Sequence, residues 1–250
     1  MPSLNLVSLN VEKHQHIDRV ERFLVERSPD VVCLQEVRPE EVERFAKMLG
    51  NKKPLYVRST HELTQGQRVT FGNAIISNMP LQETRVHHYV GDPERIPDSD
   101  QNDPAAFNAT NRMVLLAQVE KDSAIFKVAT THFTWSARGE ATDEQRESMR
   151  KLLKILADEK EFVLSGDFNA PRGGEIFTEL SSRYKDNIPS HYKTSIDASL
   201  HRNGKEYPDD FKDKMVDGLF TTPAYKTSDV VLHPGISDHY AITASISRVF

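Results

Sequence analysis

The sequence contains one cysteine, Cys33, so no disulfide can form within the chain. Cys33 lies in the apolar run Val31-Val32-Cys33-Leu34, which predicts a buried, reduced thiol in a β-strand and not a catalytic or metal-binding residue. The sequence also lacks a CxxC pair, a glycine-rich phosphate loop and a serine or cysteine in a nucleophile motif. These absences exclude the enzyme classes that depend on those motifs.

Long hydrophobic runs are also missing. No apolar segment approaches the roughly 20 residues that a membrane-spanning helix needs, and the first residues show no basic stretch followed by an apolar segment. We therefore expect no membrane partner, no secretory signal and a cytoplasmic location. No protein partner can be inferred, and we expect a monomer.

Neither sign of charge is in large excess, with 32 Lys and Arg against 37 Asp and Glu. This mildly acidic balance argues against extended, sequence-independent binding to duplex DNA, which usually requires a basic surface. The argument weakens if some of the acids hold a metal ion, because the bound cation offsets their charge. Net charge therefore does not decide the substrate.

The sequence does contain short strands intermixed with amphipathic helices, which predicts an α/β fold. Its 250 residues suffice for one domain with a sizeable core, and no linker or repeat divides residues 1–250. Periodicity predicts helices near residues 17–24, 39–49 and 142–156, the last starting at a capping box of Thr142 and Gln145. Strands are predicted near residues 4–9, 31–37, 69–77, 113–120, 124–133, 161–167, 215–221, 228–232 and 240–247.

Two long polar stretches, residues 88–111 and 181–214, have little periodicity. Loops of this length in a compact domain are usually functional or mobile, so we expect these two to border a functional site. The alternative is that they are exposed surface loops without a function. The second stretch carries a modest basic set that could meet a polyanion or could be a solvated face. This set is Lys185, His191, Lys193, His201, Arg202 and Lys205.

Several polar residues lie where a predicted strand ends, and a rigid sheet can hold such side chains at fixed distances. They are Asn10, Glu36, His132, Asp167, Asn169, Asp217, Asp238 and His239. Carboxylates, amides and imidazoles suit oxygen-liganded metal chemistry, and Mg²⁺ prefers one or two carboxylates plus waters and substrate phosphate. Each residue alone has an ordinary structural explanation, such as a turn asparagine or a core histidine. Only their combination and chain order support a site that hydrolyses a phosphate ester.

These residues fall in a series of short motifs that resembles the endonuclease/exonuclease/phosphatase superfamily in order and extent. The motifs are Ser8-Leu9-Asn10, Leu34-Gln35-Glu36-Val37, Gly72-Asn73-Ala74-Ile75-Ile76-Ser77, Thr131-His132-Phe133, Gly166-Asp167-Phe168-Asn169-Ala170 and Ser237-Asp238-His239. The resemblance implies a four-layer α/β sandwich, with two mixed β-sheets packed face to face and helices on both outer faces. It places the active site at one end of the sandwich.

The resemblance also implies a role for each residue. Glu36 would be the main Mg²⁺ ligand, with Asn10 beside it as a ligand or an orienting amide and Asp238 near the metal and leaving group. Mn²⁺ is expected to substitute. Asp167 would activate the attacking water and Asn169 would contact the scissile phosphate. His239, held by Asp217, would stabilise the transition state, since a carboxylate fixes the tautomer of an imidazole and raises its basicity.

A histidine after this strand, as at His132, resembles the pattern of the deoxyribonuclease-like and tyrosyl-DNA-phosphodiesterase-like branches, and of deadenylases and sphingomyelinases. Apurinic-site enzymes tend to carry a different residue there. Arg112 matches an arginine that several branches place near the phosphate, although it could equally be a surface arginine at a strand start. Trp135 and Phe133 could stack on a base or a tyrosyl ring. The alternative is that Trp135 packs under the long loops.

The sequence therefore predicts a Mg²⁺-dependent phosphodiesterase, with nucleic acid as the leading substrate and a nuclease or DNA-repair role. The first alternative is hydrolysis of a small phosphorylated metabolite or a lipid head group. A catalytically inactive binding module is the third hypothesis, and the intact set of Glu36, His132, Asp167, Asn169 and His239 argues against it.

Overall fold

The computed structural model describes residues 2–50, 53–64, 67–100, 103, 106 and 109–249. Across these residues the apolar runs become strands and the 3.6-residue periodicities become helices. The elements in chain order are β1 (Ser3–Asn10), α1 (Ile17–Arg27), β2 (Val31–Val37), α2 (Pro39–Met48), β3 (Leu55–Thr64), β4 (Gln67–Ser77), β5 (Leu81–Val90), β6 (Asp98–Ser99), β7 (Arg112–Lys121), β8 (Ala124–His132), α3 (Asp143–Asp158), β9 (Val163–Asp167), α4 (Glu175–Ser181), β10 (Lys185–Asp186), β11 (Asp217–Thr221), β12 (Tyr225–His233) and β13 (Ala241–Arg248). Short 3-10 turns occur at Ala137–Gly139 and Pro208–Phe211.

The strands form two mixed sheets. Sheet A has seven strands in the order β12-β13-β1-β2-β4-β3-β6, and sheet B has six in the order β10-β11-β9-β8-β7-β5. β1 pairs with β2 in parallel, β3 pairs with β6 in parallel, and β8 pairs with β9 in parallel, whereas the remaining pairs are antiparallel.

The apolar side chains divide into three layers of core. One layer lies between the facing sheets and includes Leu4, Cys33, Ile75 and Leu115. A second joins α1 and α2 to the outer face of sheet A, and a third joins α3 and α4 to the outer face of sheet B. The predicted four-layer α/β sandwich is therefore confirmed.

β2 has a continuous apolar sequence because both of its faces are covered. Val32 and Leu34 pack on the helix side of sheet A, and Val31 and Cys33 pack on the inter-sheet side. Cys33 is a fully buried free thiol, and burial raises its pKa to about 12. The prediction of a buried, reduced cysteine is confirmed.

The parallel pairs bring the polar strand ends together. Asn10 is level with Gln35 where β1 and β2 end, and His132 is level with Asp167 where β8 and β9 end. Asp217 begins the antiparallel neighbour β11 opposite Asp167. One end of the sandwich therefore collects polar side chains from both sheets.

Five elements were not predicted from the sequence: the helix α4, the strands β3 and β5, and the two-residue strands β6 and β10. β5 forms an edge of sheet B and carries mostly partly or fully exposed side chains, so its sequence lacks the apolar run of a central strand.

The capping box at α3 is half formed. Thr142 accepts a hydrogen bond from the Gln145 N–H (3.1 Å), whereas the Gln145 side chain donates to the Thr134 carbonyl (2.8 Å) instead of returning to the cap.

Among the described residues, no helix combines the length and the apolar character that crossing a membrane requires.

Gly166 is predicted to be irreplaceable in β9. Its φ is +148°, and a Cβ there would lie 2.0 Å from the Thr131 carbonyl oxygen of β8. Gly166→Ala should lower the free energy of unfolding by about 3 kcal/mol or more, because backbone must shift. Urea unfolding measures the change.

Gly173→Ala is the matched control, since Gly173 also has a positive φ (+87°) but nothing lies within 4 Å of the added Cβ. It should cost only about 1 kcal/mol from backbone strain. Equal costs for the two variants would contradict the proposed clash.

Candidate active site

A cleft of about 1160 Å³ opens at the end of the sandwich where the polar strand ends meet. Glu36, His132, Trp135 and other predicted residues line it, namely Arg112, Asp167, Asn169, Asp238 and His239. The two remaining predicted residues, Asn10 and Asp217, are buried behind this lining and hydrogen-bond to it. The structure thus brings all ten predicted residues into one site.

Asp167, at the end of β9, lies at the centre of the site and is 1% exposed. Its Oδ1 accepts the Asn169 N–H (2.8 Å) and its Oδ2 accepts Nδ2 of Asn10 (3.1 Å). Burial raises the pKa of Asp167 to about 6, although the charge on His239 and these hydrogen bonds oppose the rise. The carboxylate is therefore held in a fixed orientation with a basicity above that of an ordinary aspartate.

His239 is the cationic partner in this site. Its Nδ1 donates to Oδ2 of Asp217 (2.7 Å), and its Nε2 lies 3.8 Å from Oδ2 of Asp167. Burial alone would lower the pKa of His239, but the carboxylates of Asp217 and Asp167 outweigh burial and raise it well above the ordinary value. We infer an imidazolium that presents a positive charge to the cleft.

The pKa of His132 is shifted in the opposite direction. Its Nε2 lies 3.5 Å from Oδ2 of Asp167 and 3.9 Å from Oε1 of Glu36. Burial, reinforced by the positive charges of Arg112 and His239, lowers the pKa of His132 well below the ordinary value. Asp167 therefore lies between two imidazoles whose surroundings favour different protonation states.

Glu36 reaches the cleft because β2 is irregular at its end. The pairing of β2 with β4 shifts register between Leu34 and Val37, and Glu36 has a left-handed backbone with φ of +55°. Such a conformation is uncommon for a residue with a side chain, and it tends to occur at functional sites. Asn169 shares it (φ +50°), with its Nδ2 donating to the Phe133 carbonyl (3.0 Å).

Asn10 joins two carboxylates of the site. Its Nδ2 donates to Oε1 of Glu36 (3.2 Å) and to Oδ2 of Asp167 (3.1 Å). Its Oδ1 accepts the N–H of Glu12 (3.0 Å) and keeps a second lone pair. This geometry is compatible with both the ligand role and the orienting role.

The donor set fits a hard divalent cation. Asp238 is 6% exposed, and burial raises its pKa to about 7, with a further contribution from the nearby charges of Glu12 and Glu36. Carboxylates crowded in this way are stabilised when a cation offsets their charge. Glu36 and Asp238 supply oxygen donors of the kind that Mg²⁺ prefers.

Ligand atoms of Asp167, Asp217 and His239 also lie within 4.8 Å of one another, close enough to share a metal ion. In this group, however, Oδ2 of Asp217 already accepts the Nδ1 proton of His239. We therefore interpret the group as a charge pair beside Asp167, whereas the carboxylates of Glu36 and Asp238 could hold a metal ion.

Arg112 is not a surface residue. It is 6% exposed, and Nη1 donates to the His132 carbonyl (3.3 Å). Trp135 lies on the cleft wall with 38% of its surface exposed, so it does not pack beneath the loops. Phe133 is fully buried and stacks on Tyr89, which makes the prediction that it contacts a base or tyrosyl ring wrong.

Both long polar stretches border the cleft, as expected. Residues 196–214 contribute Ile196, His201 and Lys214, and the first stretch contributes Thr110 and Ser99, although residues 101–102, 104–105 and 107–108 lie outside the described part of the chain. The predicted basic set is divided. His201 and Arg202 line the cleft, whereas the other four do not: Lys185, His191, Lys193 and Lys205.

Ser195 is a positioning residue that sequence reasoning missed. It is fully buried, and its Oγ accepts the N–H groups of Val216 (3.1 Å) and Asp217 (3.0 Å). Its carbonyl accepts the N–H of Tyr240, next to His239 (2.6 Å). Ser195 thus holds both members of the Asp217–His239 pair. No local pattern marks it, because it lies in a polar loop without periodicity.

Ser195→Ala should lower the free energy of unfolding by about 1–3 kcal/mol, because two buried N–H groups lose their acceptor. An NMR titration should also show the pKa of His239 falling, since Asp217 is no longer held against it. Ser199→Ala is the control, because Ser199 is exposed and bonds only within its own turn. A His239 pKa that is the same in both variants would contradict the positioning role.

Comparisons with known proteins agree with this architecture. The sequence profile described as "Endonuclease/Exonuclease/phosphatase family" matches residues 7–239. A search of curated proteins finds no match. The fold resembles that of an endonuclease/exonuclease/phosphatase from Beutenbergia cavernae, with 17% identity, a TM-score of 0.74, and coverage of 99% of this chain and 72% of that chain.

Two further structures have similar folds. The human Nocturnin catalytic domain with bound sulfate anion gives a TM-score of 0.71 at 15% identity, covering 99% of this chain and 94% of that chain. TDP2 from D. rerio, complexed with single strand DNA product, gives a TM-score of 0.67 at 17% identity, covering 99% of this chain and 100% of that chain. The profile match, spanning every predicted site residue, shows that this chain belongs to the endonuclease/exonuclease/phosphatase family, whose members are metal-dependent hydrolases of phosphate esters.

Proposed function

We propose that the protein is a Mg²⁺-dependent phosphodiesterase that acts on nucleic acid, in DNA repair or end processing. One observation carries the proposal: the buried Asp167 lies between His239, whose pKa is raised well above its ordinary value, and His132, whose pKa is lowered well below it, and the carboxylates of Glu36 and Asp238 line the same cleft. A base, a cation and metal donors within one cleft are the parts that phosphodiester hydrolysis needs.

Glu36 and Asp238 would hold the metal, with Asn10 orienting the Glu36 carboxylate. When bound, the ion supplies positive charge that stabilises the phosphoryl and leaving oxygens. Mn²⁺, which also accepts oxygen donors, is proposed to substitute.

Asp167 orients the attacking water and accepts its proton. The hydrogen bonds from Asn169 N–H and Asn10 fix the orientation of the carboxylate, and its raised pKa makes it a better base than an exposed aspartate. Attack of the water oxygen on phosphorus then breaks the bond to the leaving oxygen.

His239 donates from Nε2 to a non-bridging phosphate oxygen, with Asp217 holding its other nitrogen. Asn169 uses one amide hydrogen on the Phe133 carbonyl and keeps the second for the phosphate. Neutral His132 completes this side of the site, and Arg112 adds positive charge at the inner end of the cleft.

The surroundings of the cleft support nucleic acid as substrate. Arg138 and Lys214 line the same cleft as the carboxylates, and the exposed Trp135 offers a face on which a base can stack. The structurally similar TDP2 from D. rerio was solved with a single strand DNA product, which is consistent with this choice.

Asp167→Asn is predicted to lower kcat by about 10²–10⁴, the usual contribution of a general base. The measurement is Mg²⁺-dependent cleavage of an end-labelled oligonucleotide. Asp229→Asn makes the same change at an exposed position of β12 and should leave turnover unchanged. Near wild-type turnover by Asp167→Asn would contradict the role of Asp167 as the general base.

Glu36→Gln should raise the Mg²⁺ concentration needed for half-maximal activity at least about tenfold, because a neutral amide is a weaker ligand for a hard cation. A metal titration of activity gives the value. Glu26→Gln, on the exposed face of α1, is the control. If both variants show the wild-type titration, Glu36 does not hold the metal.

The substrate class is tested with a panel that includes single- and double-stranded DNA, RNA, an abasic duplex and a 5′-phosphotyrosyl oligonucleotide. Cleavage abolished by EDTA and by Asp167→Asn supports the proposal, and the preferred member identifies the branch. A folded, metal-loaded protein that cleaves none of them, yet hydrolyses nucleotides or inositol phosphates, would replace nucleic acid with a small phosphate ester. No hydrolysis of any substrate would favour an inactive binding module.

A further inference from the structure

A polar layer lies between the two sheets, one step beneath the active site. The inter-sheet faces of β2, β8 and β9 carry apolar core residues deeper in the sandwich, such as Cys33 and Val128. Two positions nearer the site, side-chain alternation places three polar residues on the same faces. These residues, all fully buried, are Gln35, Thr130 and Ser165. The core therefore becomes polar before it reaches the catalytic side chains.

Gln35 connects three strand ends at this level. Its Nε2 donates to Oγ1 of Thr130 (2.9 Å), which joins β2 of sheet A to β8 of sheet B two residues before β8 ends. Its carbonyl accepts the N–H of Val11 (3.1 Å), the residue that follows Asn10. Gln35 also directly precedes Glu36 in the chain. It is thus the residue through which the end of β2 is attached to both neighbouring structures.

Glu36 depends on an attachment of this kind. Its backbone is left-handed, with φ of +55°, and the pairing of β2 with β4 shifts register between Leu34 and Val37. Regular pairing with β4 therefore does not fix the backbone where the Glu36 carboxylate turns into the cleft. The hydrogen bond from Gln35 to Thr130 is made at the preceding residue and reaches the opposite sheet.

Stability alone does not explain a glutamine at position 35. Its Oε1 is buried and has no hydrogen-bond partner among the described residues. An unsatisfied buried acceptor costs at least as much free energy as one intact hydrogen bond contributes. A methionine has a similar length and would avoid this cost. The amide is therefore better explained by the precise placement of its neighbours than by the free energy of unfolding.

We propose that Gln35 is a positioning residue that, through Thr130, sets the position of the Glu36 carboxylate relative to Asp167. Thr130 transmits the position of sheet B, because β8 pairs in parallel with β9, which ends at Asp167. The inference rests on the proposed function, since it concerns the alignment of a proposed metal donor. Loss of the Gln35–Thr130 hydrogen bond weakens metal binding without destabilising the fold.

Calorimetric titration of the metal-free, full-length protein with Mn²⁺ tests this role without turnover. Gln35→Met and Thr130→Val should each weaken binding about three- to tenfold, less than the roughly 10–100-fold that loss of a direct partner of a metal ligand costs. The double variant should bind like either single variant, because each change breaks the same hydrogen bond. The thermal midpoint of Gln35→Met should equal or exceed that of the wild type, since an unsatisfied acceptor is removed.

Thr130→Ser is the matched control, because it keeps the hydroxyl group and removes only a buried methyl group. It should bind Mn²⁺ like the wild type, although its thermal midpoint should fall by about 2–4 °C. Equal losses of Mn²⁺ affinity in Thr130→Ser and Thr130→Val would show that packing, and not the hydrogen bond, matters, and would overturn the proposal. Wild-type affinity in Gln35→Met would also overturn it.

Glu36→Gln in the same titration separates this inference from the proposed function. If Glu36→Gln weakens Mn²⁺ binding and Gln35→Met does not, the metal site stands and only the positioning role is overturned. If Glu36→Gln binds Mn²⁺ like the wild type, the proposed metal site is contradicted and the inference is overturned with it.

Discussion

The buried hydrogen bond between Asp217 and His239 is the interaction on which the rest of the site depends. Asp217 begins β11 in sheet B and His239 lies just before β13 in sheet A, so this 2.7 Å bond joins the sheets at their polar end. It also raises the pKa of the His239 imidazole. Burial favours a neutral imidazole, and the carboxylates of Asp217 and Asp167 reverse that preference. A fixed cation then stands beside Asp167 and opposes protonation of that carboxyl group.

The site also requires backbone conformations that cost free energy. Glu36 and Asn169 both adopt a left-handed backbone, which costs roughly 1–2 kcal/mol for a residue with a side chain. Glu36 lies near the end of β2 and Asn169 lies two residues after β9, and the packing of these buried strands between two layers holds the chain there in place. The core therefore offsets strain at the residues that point into the cleft.

Charges of both signs line the cleft. Glu36, Asp167 and Asp238 lie there with Arg138 and Lys214, and Lys13 also lines it but pairs with Glu62. A phosphate would be repelled by the carboxylates unless a cation were bound beside them. The net charge of −5 says nothing about this local arrangement, which is why composition left the substrate open.

Much of the fold and of the site could be predicted from the sequence, because local patterns carry them. Buried central strands such as β2 and β9 have continuous apolar sequences, and the helix facing sheet B begins at Thr142 as its capping pattern indicates. The strand-end residues were found because polar side chains directly after apolar runs are visible in the sequence. β5 was not predicted because an edge strand is covered on fewer sides, so its sequence mixes polar and charged residues with apolar ones.

The sequence by itself determined the four-layer architecture, the family and the chemical inventory of the site, since these depend on residue types and their order. Only the tertiary structure decided what surrounds each group. It showed that Arg112 is buried, that Phe133 belongs to the core, that Oδ1 of Asn10 accepts the N–H of Glu12, and that the pKa values of the two imidazoles beside Asp167 are shifted in opposite directions. The reason is physical: burial and through-space charge depend on neighbours far apart in the chain, as with Asn10 and Asp167, 157 positions apart.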